Sequence, residues 1–93
     1  MDIFYAQDAV ADLSRLRQFI AEHDPSAAHK IGNDLVDRLE QIAAFPAMGK
    51  RVAMAPDPES IRDAIFGNYI VRYSIHRESI IILRIWHHRE ARE

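Results

Sequence analysis

Residues 68–86 read NYIVRYSIHRESIIILRIW, and their period decides the fold. Tyr69, Val71, Tyr73 and Ile75 alternate with Ile70, Arg72, Ser74 and His76, the two-residue repeat of a strand with two unlike faces. A turn over Arg77, Glu78 and Ser79 leads to a second strand, Ile80 to Trp86. Upstream, Ile61 to Phe66 predicts another strand, which Gly67-Asn68 turns back into the first. Strands in such close succession pair antiparallel and form a meander. Strict alternation predicts a core face of Tyr69, Val71, Tyr73 and Ile75 with Ile81, Leu83 and Ile85. Opposite it fall Ile70, Arg72, Ser74, Ile80, Ile82, Arg84 and Trp86, a mixture of apolar and cationic groups.

The first half of the chain has a different period. After a short β-prone piece, Asp2 to Tyr5, the residues Val10, Leu13, Leu16, Phe19 and Ile20 recur three and four apart, while Asp12, Ser14, Arg15 and Gln18 fill the other side. This predicts an amphipathic helix from Gln7 to Glu22, with Asp8 and Asp12 favourably near its N-terminal dipole. His23-Asp24-Pro25 breaks it and starts a second helix, with Asp24 suited to the N-cap and Pro25 to the first helical position. Ala28, Ile31, Leu35, Leu39 and Ile42 form its apolar stripe, which ends near Phe45 before Pro46. So short a turn makes the pair an antiparallel hairpin. Residues 47–60 are a connector punctuated by Gly49, Pro56 and Pro58. The expected architecture is α+β in one domain over residues 1–93: an N-terminal strand, then a helical hairpin covering one face of the C-terminal meander.

Composition excludes several function classes. With no cysteine there is no disulfide, thiolate zinc site or cysteine nucleophile. No stretch approaches the roughly 20 apolar residues of a membrane span, so a cytoplasmic protein is the expectation. The formal charge of −2 is uneven: residues 1–47 carry four basic and eight acidic side chains, residues 48–93 eight basic and six acidic. An anionic partner is therefore to be sought in the second half, although a net acidic chain is a poor general ligand for nucleic acid. His87 and His88, adjacent on a strand, would point to opposite faces and not share a metal, so neither a metal nor a cofactor is expected. Asp12, Asp34, Asp37 and Glu40 read as solvated helix faces, and His23 and His29 flank the helical turn without obvious partners. Arg62, Arg72 and Arg84 fit either structural ion pairs or functional cations.

Several stretches resemble the RelE/ParE superfamily, the toxins of bacterial toxin-antitoxin pairs. AVADLSRLRQFIAEHDPSAA resembles its first helix, with an A-x-x-D-L step and a Pro-Ala-Ala entry into the second; FPAMGKR resembles its Pro-x-x-Gly-Arg connector. IRDAIFGNYIVRY resembles its Arg-bearing strand with Gly-x-Tyr, and IIILRIWHHRE its last strand with terminal His and Arg. The resemblance implies a toxin held inactive by a cognate antitoxin, ParD-like or related, in a homo- or hetero-oligomer. A segment of that antitoxin would fold across the toxin as a helix or an added strand.

The resemblance divides at the mechanism. RelE-like members cleave messenger RNA, on the ribosome or free, whereas ParE-like members are described as poisons of DNA gyrase. A metal-independent nuclease needs a base, an acid and cations at the phosphate, and the candidates are Arg62, Arg84, His87, His88 and Arg89. The set is incomplete: Ile70 stands where RelE-like nucleases carry an Arg after Gly-x-Tyr, and no Tyr follows His88. A ParE-like toxin that binds its target without catalysis is the favoured expectation, with Ile70, Arg72, Ile82, Arg84 and Trp86 as the partner-binding residues. An RNA endonuclease and an inactive relative that only binds its partner are the alternatives.

Overall fold

The computed structural model describes residues 1–24, 26, 28–53, 55, 56 and 60–88, apart from the side chains of Ala28, His29 and Ile31. The expected elements are present in the expected order. Strand β1 (Asp2–Tyr5) precedes helices α1 (Gln7–His23) and α2 (Ala28–Ala44). A single 3-10 turn, Pro46–Met48, then leads to β2 (Lys50–Arg51), β3 (Ile61–Phe66), β4 (Tyr69–Ile75) and β5 (Ser79–His87). The five strands form one sheet in the order β1-β5-β4-β3-β2. Strands β3, β4 and β5 are the antiparallel meander, and β1 joins β5 in parallel, Ile3 opposite Ile80 and Tyr5 opposite Ile82. Between β3 and β4 the turn has two residues, with Gly67 at φ +58° in the first central position, a conformation that disfavours any side chain. Among the described residues no helix is long and apolar enough to cross a membrane.

One extra residue in β5 overturns the predicted faces. Arg72 pairs with Arg84, yet the next residue of β4, Tyr73, pairs with Ile82, so Leu83 is the extra residue of a β-bulge. A one-residue insertion reverses the alternation on one side of it. Ile85 faces the helices as expected, but before the bulge it is Ile80 and Ile82 that are fully buried there, not Ile81 and Leu83. Ile82, expected on the partner-binding face, is a core residue at 0% exposure. Strand β4 keeps its predicted phase, with Val71 and Tyr73 buried against Leu16, Leu35, Leu39 and Ile42 of the helices.

Helix α1 also sits rotated from its simplest reading. In α1 the buried residues are Ala9, Asp12, Leu16 and Ile20, and Val10 is 54% exposed. Asp12 is drawn inward by partners on β5, and Val10, two residues and so about 200° around the helix, is turned to solvent. Asp24 closes α1 as its C-cap, with its N–H on the Ile20 carbonyl. Pro25, predicted as the first residue of α2, lies outside the described residues, as do the side chains of Ala28 and Ile31. In α2 the stripe Leu35, Leu39, Ile42 is buried as the spacing requires.

The turn after α2 is clamped to the sheet by Tyr73. Its hydroxyl donates to the Pro46 carbonyl at 2.5 Å and accepts the Gly49 N–H at 3.0 Å, and burial pushes the phenol pKa up. A Cβ on Gly49 would lie 2.7 Å from that hydroxyl and 3.0 Å from the Asp63 carbonyl, so the glycine is required by close approach. The bulge makes a direct prediction. Ile82→Ala should cost about 2–5 kcal/mol and Leu83→Ala roughly 1 kcal/mol, with Tm falling about 4–8 °C per kcal/mol. Thermal unfolding of the two variants checks it, and equal losses would contradict the assigned faces.

Candidate functional site

Both helices pack on one face of the sheet, and among the described residues no element covers the other. Cross-strand pairing brings Asp63 of β3, Arg72 of β4 and Arg84 of β5 into one row on this outer face, with Ile65, Ile70 and Trp86 in the next row. Phe4 and Ile81 pair on its β1 side. Ile65 is 61% exposed and Phe4 is exposed as well, so the face is apolar around a cationic centre. Patches of this composition on a small domain mark sites of association.

Two carboxylates fix the arginines. Arg72 donates through Nε and Nη2 to the two oxygens of Asp63, at 2.9 and 3.0 Å. Arg84 donates through the same two atoms to Asp12, at 2.8 and 3.2 Å. Both guanidinium carbons lie over Trp86, 5.2 and 5.3 Å from the ring centroid, within cation–π range. Each hydrogen-bonded carboxylate raises the pKa of its arginine, so both stay charged. Trp86 itself is 8% exposed, so the arginines and not the indole form most of the surface there.

Asp12 contradicts its reading as a solvated helix residue. It is 2% exposed and accepts from Arg84, from Arg15 and from the backbone N–H of Ile85 at 2.8 Å, while Arg15 also donates to the Ile85 carbonyl at 3.1 Å. Strand β1 stops opposite Ile82, so beyond that point no strand among the described residues lies beside that edge of β5. The Asp12 and Arg15 side chains take the place of one, satisfying both backbone groups of Ile85. Burial is the largest influence on the Asp12 carboxyl and alone would raise its pKa. The hydrogen bonds from Arg84, Arg15 and Ile85 outweigh it and hold the pKa below the ordinary 3.8. Sequence reasoning had a signal here: Asp12 falls on the buried 9, 12, 16 spacing and is the acid of the A-x-x-D-L step.

Of the candidate nuclease residues that are described, Arg62 and Arg84 lie on opposite faces of the sheet, while His87 and His88 are in contact. Arg62 pairs in register with Tyr73 on the helix side of the sheet, where it donates to the Gly49 carbonyl at 2.9 Å and to that of Ala47. Arg84 is on the opposite face. His87 is nearly buried on the helix side, its ring 5.4 Å from Phe19 and 5.2 Å from Tyr69. His88 is exposed and, contrary to the alternation argument, stacks on His87 at 4.9 Å, because β5 ends at His87 and the chain turns. Its N–H bonds the Asn68 carbonyl. Arg89 lies outside the described residues. Among the described residues no three His, Asp or Glu side chains gather as metal ligands would.

The chain is similar to proteins named for both ParE and RelE. The family described as "ParE toxin of type II toxin-antitoxin system, parDE" matches residues 3–92. Toxin RelE1 of Caulobacter vibrioides is 34% identical over 86 residues, covering 90% of this chain and 89% of the relative. Toxin RelE3 of the same organism is 28% identical over 81 residues, 87% of each chain. Among solved structures, the chromosomal ParDE toxin-antitoxin system from P. aeruginosa has the same fold, with a TM-score of 0.78 at 21% identity over 94% of this chain and 95% of the other.

Asp12 couples the site to acidity. Because its folded pKa is depressed, its stabilisation is full above the unfolded value and is lost as pH falls from about 3.8 through the lower folded value. Asp12→Asn should cost about 1–3 kcal/mol near neutrality. Denaturant unfolding from pH 6 down to 2 checks this: the gap between wild type and variant should close in the acid range, and a gap independent of pH would remove Asp12 from this role.

Proposed function

Because the chain belongs to the RelE/ParE superfamily and is the toxin component of a type II toxin-antitoxin system, we propose that it acts by binding and not by RNA cleavage. Its target on this reading is DNA gyrase, and a cognate antitoxin neutralises it. The outer sheet face around Arg72, Arg84 and Ile65 is the surface that both partners compete for. The carrying observation is the separation of Arg62 from Arg84. An RNA 2′-hydroxyl, its phosphate and the leaving oxygen lie within a few ångströms, so base, cation and acid must converge on one point. Here Arg62 and Arg84 are on opposite faces of the sheet, each committed to other groups. His87 is packed against Phe19 and Tyr69. Isolated cations supply affinity without supplying a reaction path.

On this reading the antitoxin neutralises by occlusion. It needs to reach no catalytic group and only has to cover the face that the target would use. RNA cleavage is the second reading, favoured by one observation: His88 is exposed at the end of β5 and stacked on His87. The chemistry would then rest on these two imidazoles.

Induced expression without antitoxin separates the two. The expected outcome is loss of viability with intact messenger RNA, inhibition of supercoiling by purified gyrase, and full toxicity of the His87→Ala, His88→Ala double variant. Cleaved messenger RNA with supercoiling untouched would reverse the assignment.

A further inference from the structure

The two ends of the sheet are built differently. At one end, β2 is two residues long and both are cationic, which protects its edge. At the other, β1 has four residues, of which only Asp2 is charged, and among the described residues no strand lies beyond it. Met1, Phe4 and Tyr5 are 52%, 56% and 40% exposed there. An open edge of this kind, apolar and without a proline or a bulge, is a template for another strand. We propose that the strand it takes is β1 of a second copy of the chain, paired antiparallel about a twofold axis through Phe4. The inference concerns the free protein and is independent of the target named above.

The backbone phase of β1 selects the copy and its register. Asp2 donates its N–H to the Glu78 carbonyl at 3.2 Å, and Ala6 donates to that of Ile82 at 2.9 Å. Residues two apart turn their backbone groups to the same side, so Asp2, Phe4 and Ala6 serve β5 while Ile3 and Tyr5 direct N–H and C=O at the open edge. In an antiparallel pair, opposite residues share a face and exchange hydrogen bonds at alternate positions. Setting Ile3 against Tyr5 of the second copy meets both conditions twice over, because the twofold axis repeats the pair. Phe4 then falls opposite itself at the non-hydrogen-bonded site, where Cα atoms are about 4.5 Å apart and aromatic side chains pair well. A shift of one residue would set Ile3 against Phe4, whose backbone groups are engaged with β5. The edge is therefore its own complement, as an isologous contact requires. Two five-stranded sheets become one continuous sheet with both helical layers on the same side. So short an edge buries less than the roughly 1,200 Å² of a stable interface, so the dimer is weak and reversible.

Sedimentation equilibrium of the full chain without antitoxin tests the pairing. The expected result is a monomer–dimer equilibrium with a dissociation constant on the order of 0.1–1 mM. Phe4→Lys sets two like charges against each other on the axis and should weaken it roughly 10-fold or more. Because Phe4 is exposed, circular dichroism and Tm of that variant should stay close to wild type. Register is read by cross-linking, since the chain has no cysteine of its own. Phe4→Cys should oxidise to a disulfide-linked dimer, its two Cα atoms lying within disulfide reach. Asp2→Cys should not, because its two copies lie four residues, about 13 Å, apart along the strands. A chain that stays monomeric at about 1 mM overturns the proposal. So does a dimer indifferent to Phe4→Lys, or cross-linking at Asp2→Cys as fast as at Phe4→Cys. Were Phe4→Lys to weaken antitoxin binding while the free chain is monomeric, the edge would belong to an antitoxin strand and not to a second copy.

Discussion

The carboxylate of Asp12 sits at the junction of the helical layer and the sheet, and the outer face depends on it. From a buried position on α1 it reaches the backbone of β5 and the guanidinium of Arg84. A lone carboxylate at that depth would be strongly unfavourable, and it is tolerated because three donors meet it. One group thereby performs two tasks. It ends the sheet cleanly where β1 stops, and it sets the direction of an arginine on the face opposite the helices. The cost of removing it falls on both layers at once.

The bulge at Leu83 works with this contact. On either side of it β5 presents opposite parities to the helices, which lets Ile80, Ile82 and Ile85 all reach the core while Arg84 and Trp86 stay outside. A strictly regular strand could not do so: with Ile85 inward, Ile80 and Ile82 would turn outward. The bulge thus concentrates the apolar residues inward and leaves Arg84 opposite Arg72. The cationic row on the outer face is a consequence of that register, stabilised by Asp63 and Asp12 on its flanks.

On the proposed reading of a toxin that works by binding, the requirements differ from those of an enzyme. Affinity comes from area, shape and a few anchored groups, and no atom has to be poised for reaction. The imidazoles at the end of β5 stack among aromatic rings, and Arg62 is occupied in holding the turn after α2. Arg62 and His87 are thus parts of the packed scaffold. The edge strand β2 is short and carries Lys50 and Arg51, a composition that discourages unwanted strand addition on that side of the sheet.

The periods of the sequence, 3.6 in the first half and two in the second, determined the element order, the helical hairpin, the meander and the α+β class. These are local properties, set by which side of a helix or strand each residue occupies. Leu35, Leu39 and Ile42 are buried, as are Val71 and Tyr73, because nothing beyond that periodicity was needed to direct them. Only the tertiary structure decided the parallel pairing of β1 with β5, the bulge, the burial of Asp12 and the separation of Arg62 from Arg84. Each of these depends on a partner distant along the chain. A bulge is invisible in a run such as IIILRIW, where either parity presents apolar side chains to a core. A buried aspartate looks like a solvated one until the strand that supplies its donors, more than seventy residues away, is laid beside it.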